Sequence, residues 1–365
     1  MLTTCRTVLV LALLGLGLLH AQEQKSAGVT DQSKFMADVM VSIPPGTHTY
    51  PLYGEAVIPN SKPGPDQEKV EAWGMTVRVS RPTIHAYLPA KAKENGTSVL
   101  VFPGGGYEML NMEAEGARVA QFFQDHGVAA FVVKYRLPSD ATMEDKSIGP
   151  LQDAQQAIRF VRQHAQEWKL DPARVGVIGF SAGGHLASTL GTHFEEALVD
   201  SPDRISLRPD FMILGYPGIS NDPKIAHQGS TKALLGENPS EDKLRFFSNE
   251  FQVTEKTPPT LLLAAADDKL LDVENSIVFF DALRHHGVAV EMTILERGEH
   301  GFLLIPRDRW ESLIVKWMES HGWLEKSPTE CQGRSKTRPV WRSKSRPVDS
   351  REVVVGLRGR RAAGA

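Results

Sequence analysis

An α/β fold built on a mostly parallel sheet is predicted by three observations. Several short apolar runs lack the alternation of a half-exposed strand, as expected of strands covered on both faces by helices. Segments of helical period, about a dozen residues long, stand between them, and such a length is what a crossover between parallel strands requires. The first two strand candidates do alternate and are separated by a short proline turn, so the sheet is expected to open with an antiparallel pair.

The elements follow in order. Residues 1–21 carry Arg6, an apolar core over 8–19 and Ala21 at a cleavable position, the pattern of a secretory signal peptide. The apolar run is shorter than the ~20 residues that cross a bilayer, so no stable membrane span is expected after cleavage. Residues 22–72 are rich in Pro and Gly without period and read as an extended lead-in on the surface. The folded domain is expected over 73–326. MTVRVS (75–80) and TIHAYLP (83–89) form the opening pair. Buried strands follow at 98–103 and 129–137, and further strands at 174–180, 211–217, 260–266 and 290–296. Amphipathic helices are expected at 113–127, 151–168, 273–287 and 309–322, the first closing on Gly127. The rhythm lapses over 218–257, read as an insertion with short helices beside the strand ends. From Ser327 the chain holds 10 Lys/Arg against 3 Asp/Glu without period, a basic disordered tail over 327–365.

The 365 residues carry a net charge of -3, which argues against a nucleic-acid partner. Cys5 leaves with the leader and Cys331 remains alone, so the core and not a disulfide must hold the fold. Neither Cys-x-x-Cys nor His-Glu-x-x-His occurs, and no metal or organic cofactor is expected. Oligomeric state is not legible.

Ligands of such sheets bind beyond the carboxyl ends of the strands. There, Gly179-Phe180-Ser181-Ala182-Gly183 fits G-x-S-x-G, with a strand before and a helix after. A sharp strand-to-helix turn lifts a serine hydroxyl clear of the sheet and aims the helix dipole at it, marking Ser181 as a nucleophile. A serine hydroxyl needs a base. His300 follows the last strand beside glycine, whereas His185 lies one turn into the helix after Ser181 and should point away from its oxygen. A carboxylate should orient the imidazole. Asp267, Asp268 and Asp272 compete after the strand at 260–266. Asp272 directly precedes a helix and suits a cap, Asp268 is preferred as the acid, and Asp267 is the alternative. The glycine run after 98–103 can bring backbone amides close to a developing oxyanion: Gly105 and Gly106, joined by Ala182. Tyr107, Glu108, Tyr216 and the insertion border the pocket and would select the substrate.

The set PGGGY, YRLP, DPARVGVIGFSAGGHLAS, ADDKLLDVENS and ERGEHGF resembles the α/β-hydrolase superfamily, nearest to secreted bacterial acetylxylan and acetyl esterases, some labelled xylanase B. The resemblance spans about 73–324. It implies an α/β-hydrolase fold with a mostly parallel eight-stranded sheet, helices on both faces and carboxyl-ester hydrolysis. Its nucleophile falls on Ser181, its acid on Asp268 and its base on His300. The chain departs from the pattern at Pro103, where related lipases carry His, and at Leu271-Asp272, where relatives often have Val-Pro. The expectation is an exported (secreted or periplasmic) serine esterase that removes short acyl groups from a small-molecule or carbohydrate ester. A serine peptidase of the same fold and a non-catalytic binding protein are the alternatives.

Overall fold

The computed structural model describes residues 48–325, apart from 92, 93 and 201. The expected leader, residues 22–47 of the lead-in, both cysteines and the basic tail lie outside the described residues.

Eleven strands and seven α-helices are formed within that range. The strands are β1 (His48–Pro51), β2 (Lys69–Val70), β3 (Met75–Val77), β4 (Thr83–Tyr87), β5 (Ser98–Phe102), β6 (Met109–Asn111), β7 (Ala129–Lys134), β8 (Val175–Phe180), β9 (Met212–Gly215), β10 (Thr260–Ala265) and β11 (Val290–Leu295). The helices are α1 (Arg118–Asp125), α2 (Gly149–Gln163), α3 (Ala182–Thr192), α4 (Gln228–Leu235), α5 (Glu241–Phe246), α6 (Glu274–His285) and α7 (Arg307–Ser320). Eight strands form one sheet in the order β1-β4-β7-β5-β8-β9-β10-β11, parallel from β7 to β11.

Period-two burial divides the central strands between two cores. Leu100 and Phe102 of β5 face α2, α3 and α6, whose Ile158, Leu186 and Phe279 share their cluster. Val99 and Val101 face the other way, onto Phe123 of α1 and Trp310, Ile314 and Trp317 of α7. Both faces are therefore dry, which is why these strands read as unbroken apolar runs.

The antiparallel opening exists, but with other partners than expected. β3 does not pair with β4. It joins β2 and β6 in a separate three-stranded sheet. Arg78, at φ +57°, turns the chain away between the two, and both edges of β4 are taken by β1 and β7. β1 lies inside the segment expected to be a surface lead-in. Its alternation is hidden by its length of four residues and by Pro51, tolerated because β1 is an edge strand. Leu52 beyond it is 1% exposed.

A buried ion pair ties this lead-in to the sheet. Arg136, 0% exposed at the end of β7, donates from Nε and Nη2 to Asp153 of α2, at 3.0 and 2.8 Å. The Tyr53 hydroxyl donates to the same carboxylate at 2.9 Å, and Arg136 Nη1 donates to the Pro59 carbonyl at 2.7 Å.

The sheet order reverses at β5, whose neighbours β7 and β8 lie on opposite sides. The chain leaves β5 for one side and returns to the other, opening a crevice at the carboxyl ends of β5 and β8. The glycine run and Ser181 both sit there.

Candidate active site

Ser181 stands between β8 and α3 with φ +51° and ψ -119°, a conformation that costs a non-glycine residue about 1–3 kcal/mol and that tertiary contacts must hold. The flanking glycines let it form. A Cβ on Gly179 would collide with the Gly183 carbonyl, and one on Gly183 with the Phe102 carbonyl, so β5, β8 and α3 meet backbone to backbone. The Ser181 amide donates to the Gly215 carbonyl at 3.1 Å, fixing the turn to β9.

Three expected residues come together in one row. Ser181 Oγ lies 3.0 Å from His300 Nε2, and His300 Nδ1 lies 2.8 Å from Asp268 Oδ2. The partners assign the tautomer: Nδ1–H donates to the carboxylate and Nε2 accepts the serine proton. Asp268, its side chain 2% exposed, accepts on its other oxygen from the amides of Leu270 and Leu271 at 2.9 and 3.0 Å. Burial pushes this carboxyl up. The bond from His300 and the two amides outweigh burial, and it titrates below its ordinary value. Asp267 has another role. Its Oδ1 receives the amides of Gly298 and Glu299, both at 2.8 Å, and so anchors the loop that carries His300. Asp272 accepts from the Glu274 amide at 2.9 Å at the start of α6, as its position suggested.

The glycine run passes directly beside the serine: a Cβ on Gly104 would sit 2.9 Å from Ser181 Cβ. Gly105 adopts φ +130°, where an added Cβ would strike the Met109 carbonyl, so no other residue fits this close loop. The Gly104 and Gly105 carbonyls are spent on the amides of Asn111, Glu108 and Met109. Ala182 opens α3, where the amide has no acceptor within its own helix.

Glu115 was missed by sequence reasoning. The helix expected at 113–127 begins as a π-helical turn, Met112–Ala117, before α1, and this wider turn carries Glu115 under the glycine loop. Its Oε2 accepts from the Gly104 amide at 2.6 Å, and its Oε1 from the Tyr216 hydroxyl at 3.0 Å. The Tyr216 ring packs edge-on against His300, centroids 4.9 Å apart. One carboxylate thus ties the glycine loop to the ring behind the imidazole. Burial holds its carboxyl above the ordinary range, against the pull of the Gly104 amide, Tyr216 and His300. A buried acid directly before a glycine gives no periodic signal. Glu115→Ala is expected to lower kcat on phenyl acetate by about 10–100-fold, short of losing an oxyanion donor outright, with a smaller loss in Glu115→Gln. A kcat within twofold of wild type in both variants would show that the loop stands without this tie.

The three expected rim residues part company. Tyr107 lines a small cleft together with Ala182, Gly218, Leu234 and Leu271. Glu108 is exposed beside it. Tyr216 lies outside the cleft lining, behind His300. The insertion does border the cleft through α4, and the short helices expected there are α4 and α5. His185 points away from Ser181 as anticipated. Its Nδ1 accepts from the Tyr107 hydroxyl and its Nε2 donates to the Phe247 carbonyl, both at 2.8 Å.

Burial lowers His185 from the ordinary 6.5 to about 4, only partly opposed by the Phe247 carbonyl. Between these values the unfolded chain binds a proton that the folded chain refuses, so stability falls as pH drops from 6.5 towards 4. The slope of Tm against pH across this window is expected to be shallower in His185→Gln. Part of the slope remains, because burial also holds His85 at about 4. An unchanged slope would contradict the assignment.

A match to the BD-FAE family covers residues 84–283, more than half of the chain. The chain belongs to the BD-FAE family. Among solved structures, this BD-FAE protein is similar to an acetyl ester-xyloside bifunctional hydrolase from Caldicellulosiruptor lactoaceticus. The two share 38% identity and a TM-score of 0.66, over 77% of this chain and 98% of that one. The BD-FAE chain therefore has the α/β-hydrolase fold. It is also 36% identical over 234 residues to endo-1,4-beta-xylanase B of Butyrivibrio fibrisolvens, covering 63% of this chain and 36% of that protein. It is 37% identical over 212 residues to the acetylxylan esterase of Xylanibacter ruminicola, covering 57% of this chain and 41% of that protein. The chain thus spans less than half the length of either of these two curated relatives. Among the described residues, no helix is long and apolar enough to cross a membrane, and no cluster of three metal-ligating side chains occurs.

Proposed function

We propose that this BD-FAE protein is an exported serine carboxylesterase that removes short acyl groups, acetyl above all, from carbohydrate esters. The observation that carries the reading is the row Ser181–His300–Asp268, with contacts of 3.0 and 2.8 Å, on a strained turn beside a glycine loop. The likeness to an acetylxylan esterase and to an acetyl ester-xyloside hydrolase supports the substrate class. The expected leader at 1–21 supports export.

In this reading Ser181 Oγ attacks the ester carbonyl carbon as His300 Nε2 takes its proton. Asp268 keeps the imidazole oriented and stabilises the imidazolium. The carbonyl oxygen becomes an oxyanion held by the amides of Gly105, Gly106 and Ala182, with the positive end of α3 behind it. The tetrahedral intermediate collapses by breaking the carbon–oxygen bond to the alcohol, which leaves with the proton from His300. Water then repeats the sequence on the acyl-serine: His300 takes one of its protons, the acid is released, and Ser181 Oγ recovers its hydrogen. The cleft beside Ala182 is small, which favours a short acyl chain over a long one.

Two measurements test this. Acetylated xylan or acetylated xylose should release acetate, and p-nitrophenyl acetate should be cleaved faster than the octanoate. A fluorophosphonate probe should label the protein. A protein that stays unlabelled and inert towards p-nitrophenyl acetate is not a serine esterase. One that is labelled but leaves every acetylated sugar intact is an esterase of other substrates.

A further inference from the structure

The cleft wall offers a ring nitrogen that the proposed chemistry leaves unused. Most polar side chains lining the cleft are already bonded within the protein. Tyr107 and His185 bond each other. Thr231 donates to Asn221, Asn221 donates to the Phe247 carbonyl, and Ser220 donates to Glu250. His227 differs. Its Nδ1 accepts from the Ser230 amide at 3.2 Å and lies 2.7 Å from the Ser230 hydroxyl, which places the proton of the neutral ring on Nε2. That N–H has no protein partner among the described residues.

The location fits a substrate contact. His227 lines the cleft with Ala182, and Ser230 Oγ would lie 3.6 Å from a Cβ on Gly106, so the pair stands over the proposed oxyanion loop. The groups whose charges act on His227 are His300 and Glu108. Burial, with His300, holds the ring below its ordinary value, so it is neutral at pH 7 and donates without carrying charge into the cleft.

The residue type adds a second argument. His227 is the N-cap of α4. Asn, Asp, Ser and Thr cap helices better than histidine does. Capping alone does not call for an imidazole, whereas an imidazole reaches past the cap and presents a second nitrogen.

We propose that His227 is a specificity residue whose Nε2–H donates to a hydroxyl or ring oxygen of the leaving sugar, with the Glu108 carboxylate placed to accept from a neighbouring hydroxyl. This deepens the carbohydrate-esterase reading and rests on it. A polyol acetate is recognised on its alcohol side, and an aryl or alkyl acetate without hydroxyls forgoes the contact.

The experiment compares kcat/KM for acetylated xylobiose with kcat/KM for p-nitrophenyl acetate. The first variant is His227→Asn, which keeps the cap on the Ser230 amide and removes the reaching nitrogen. The second is His227→Gln, whose longer amide restores a donor. Loss of one hydrogen bond is expected to lower the sugar-to-aryl ratio by about tenfold in His227→Asn, with recovery in His227→Gln. Glu108→Gln is expected to lower the same ratio less. A fall of less than threefold in His227→Asn overturns the proposal, as does an equal loss on both substrates, which would make His227 a partner of the ester itself. Wild-type protein that cleaves the aryl acetate but no acetylated sugar would instead sink the carbohydrate reading on which the proposal stands.

Discussion

Ser181→Ala is expected to abolish labelling by a fluorophosphonate and to lower kcat on p-nitrophenyl acetate by at least about 10⁴-fold. The size follows from what is lost. Without Oγ the reaction has no nucleophile in hydrogen-bond reach of His300, and water must attack from solvent. The amides of Gly105, Gly106 and Ala182 would remain, so some rate above the uncatalysed one should persist. Asp268→Asn should approach the same loss, because the amide favours the wrong tautomer of His300. Asp267→Asn should lose far less, since Asp267 holds the amides of Gly298 and Glu299 and touches no reacting group. Comparable losses in the two would mean that the acid has been misassigned. The substitution Ser181→Ala also places alanine at φ +51°, so circular dichroism of the variant must match wild type before its rate is read.

The largest effect on stability is expected from Arg136→Met. The Arg136–Asp153 pair is fully buried, and removal of one partner leaves an uncompensated charge at a cost of about 3–5 kcal/mol. For a domain of this size that corresponds to a fall in Tm of roughly 6–20 °C. The loss should be larger than for a surface pair such as Lys256–Glu195, both of whose side chains are more than half exposed. The double variant Arg136→Met/Asp153→Leu should recover only part of it. The Tyr53 hydroxyl and the Arg136 amide also depend on Asp153, and the Pro59 carbonyl depends on Arg136. A Tm within 2 °C of wild type for Arg136→Met would show that the lead-in needs no such clamp.

The strand–helix rhythm from β5 onward was legible because β5 and β7 to β10 are buried on both faces and α1, α6 and α7 chiefly on one. Burial writes its period into local composition, and the six strands expected from 98 to 296 are β5 and β7 to β11, the last a half-exposed edge strand. The opening was less legible. β1 and β3 are four and three residues long, too short for a period to register, and their partners were settled by the turn at Arg78 and by which edges of β4 were free.

The same division runs through the candidate site. Ser181 and His300 announce themselves because neighbours are held to glycine, Gly179 and Gly183 by close backbone contacts and Gly301 by its φ of +82°, a constraint visible in one chain. The sequence by itself therefore determined the parallel α/β sheet, the strand-to-helix turn at Ser181, the glycine loop and the singling out of His300. Only the tertiary structure decided between Asp268 and Asp267, placed Glu115 beneath the glycine loop and set His227 on the cleft wall. Those are contacts between residues 11 to about 120 positions apart, made by side chains whose direction depends on a π-helical turn or a loop anchor, and neither leaves a repeat in the sequence.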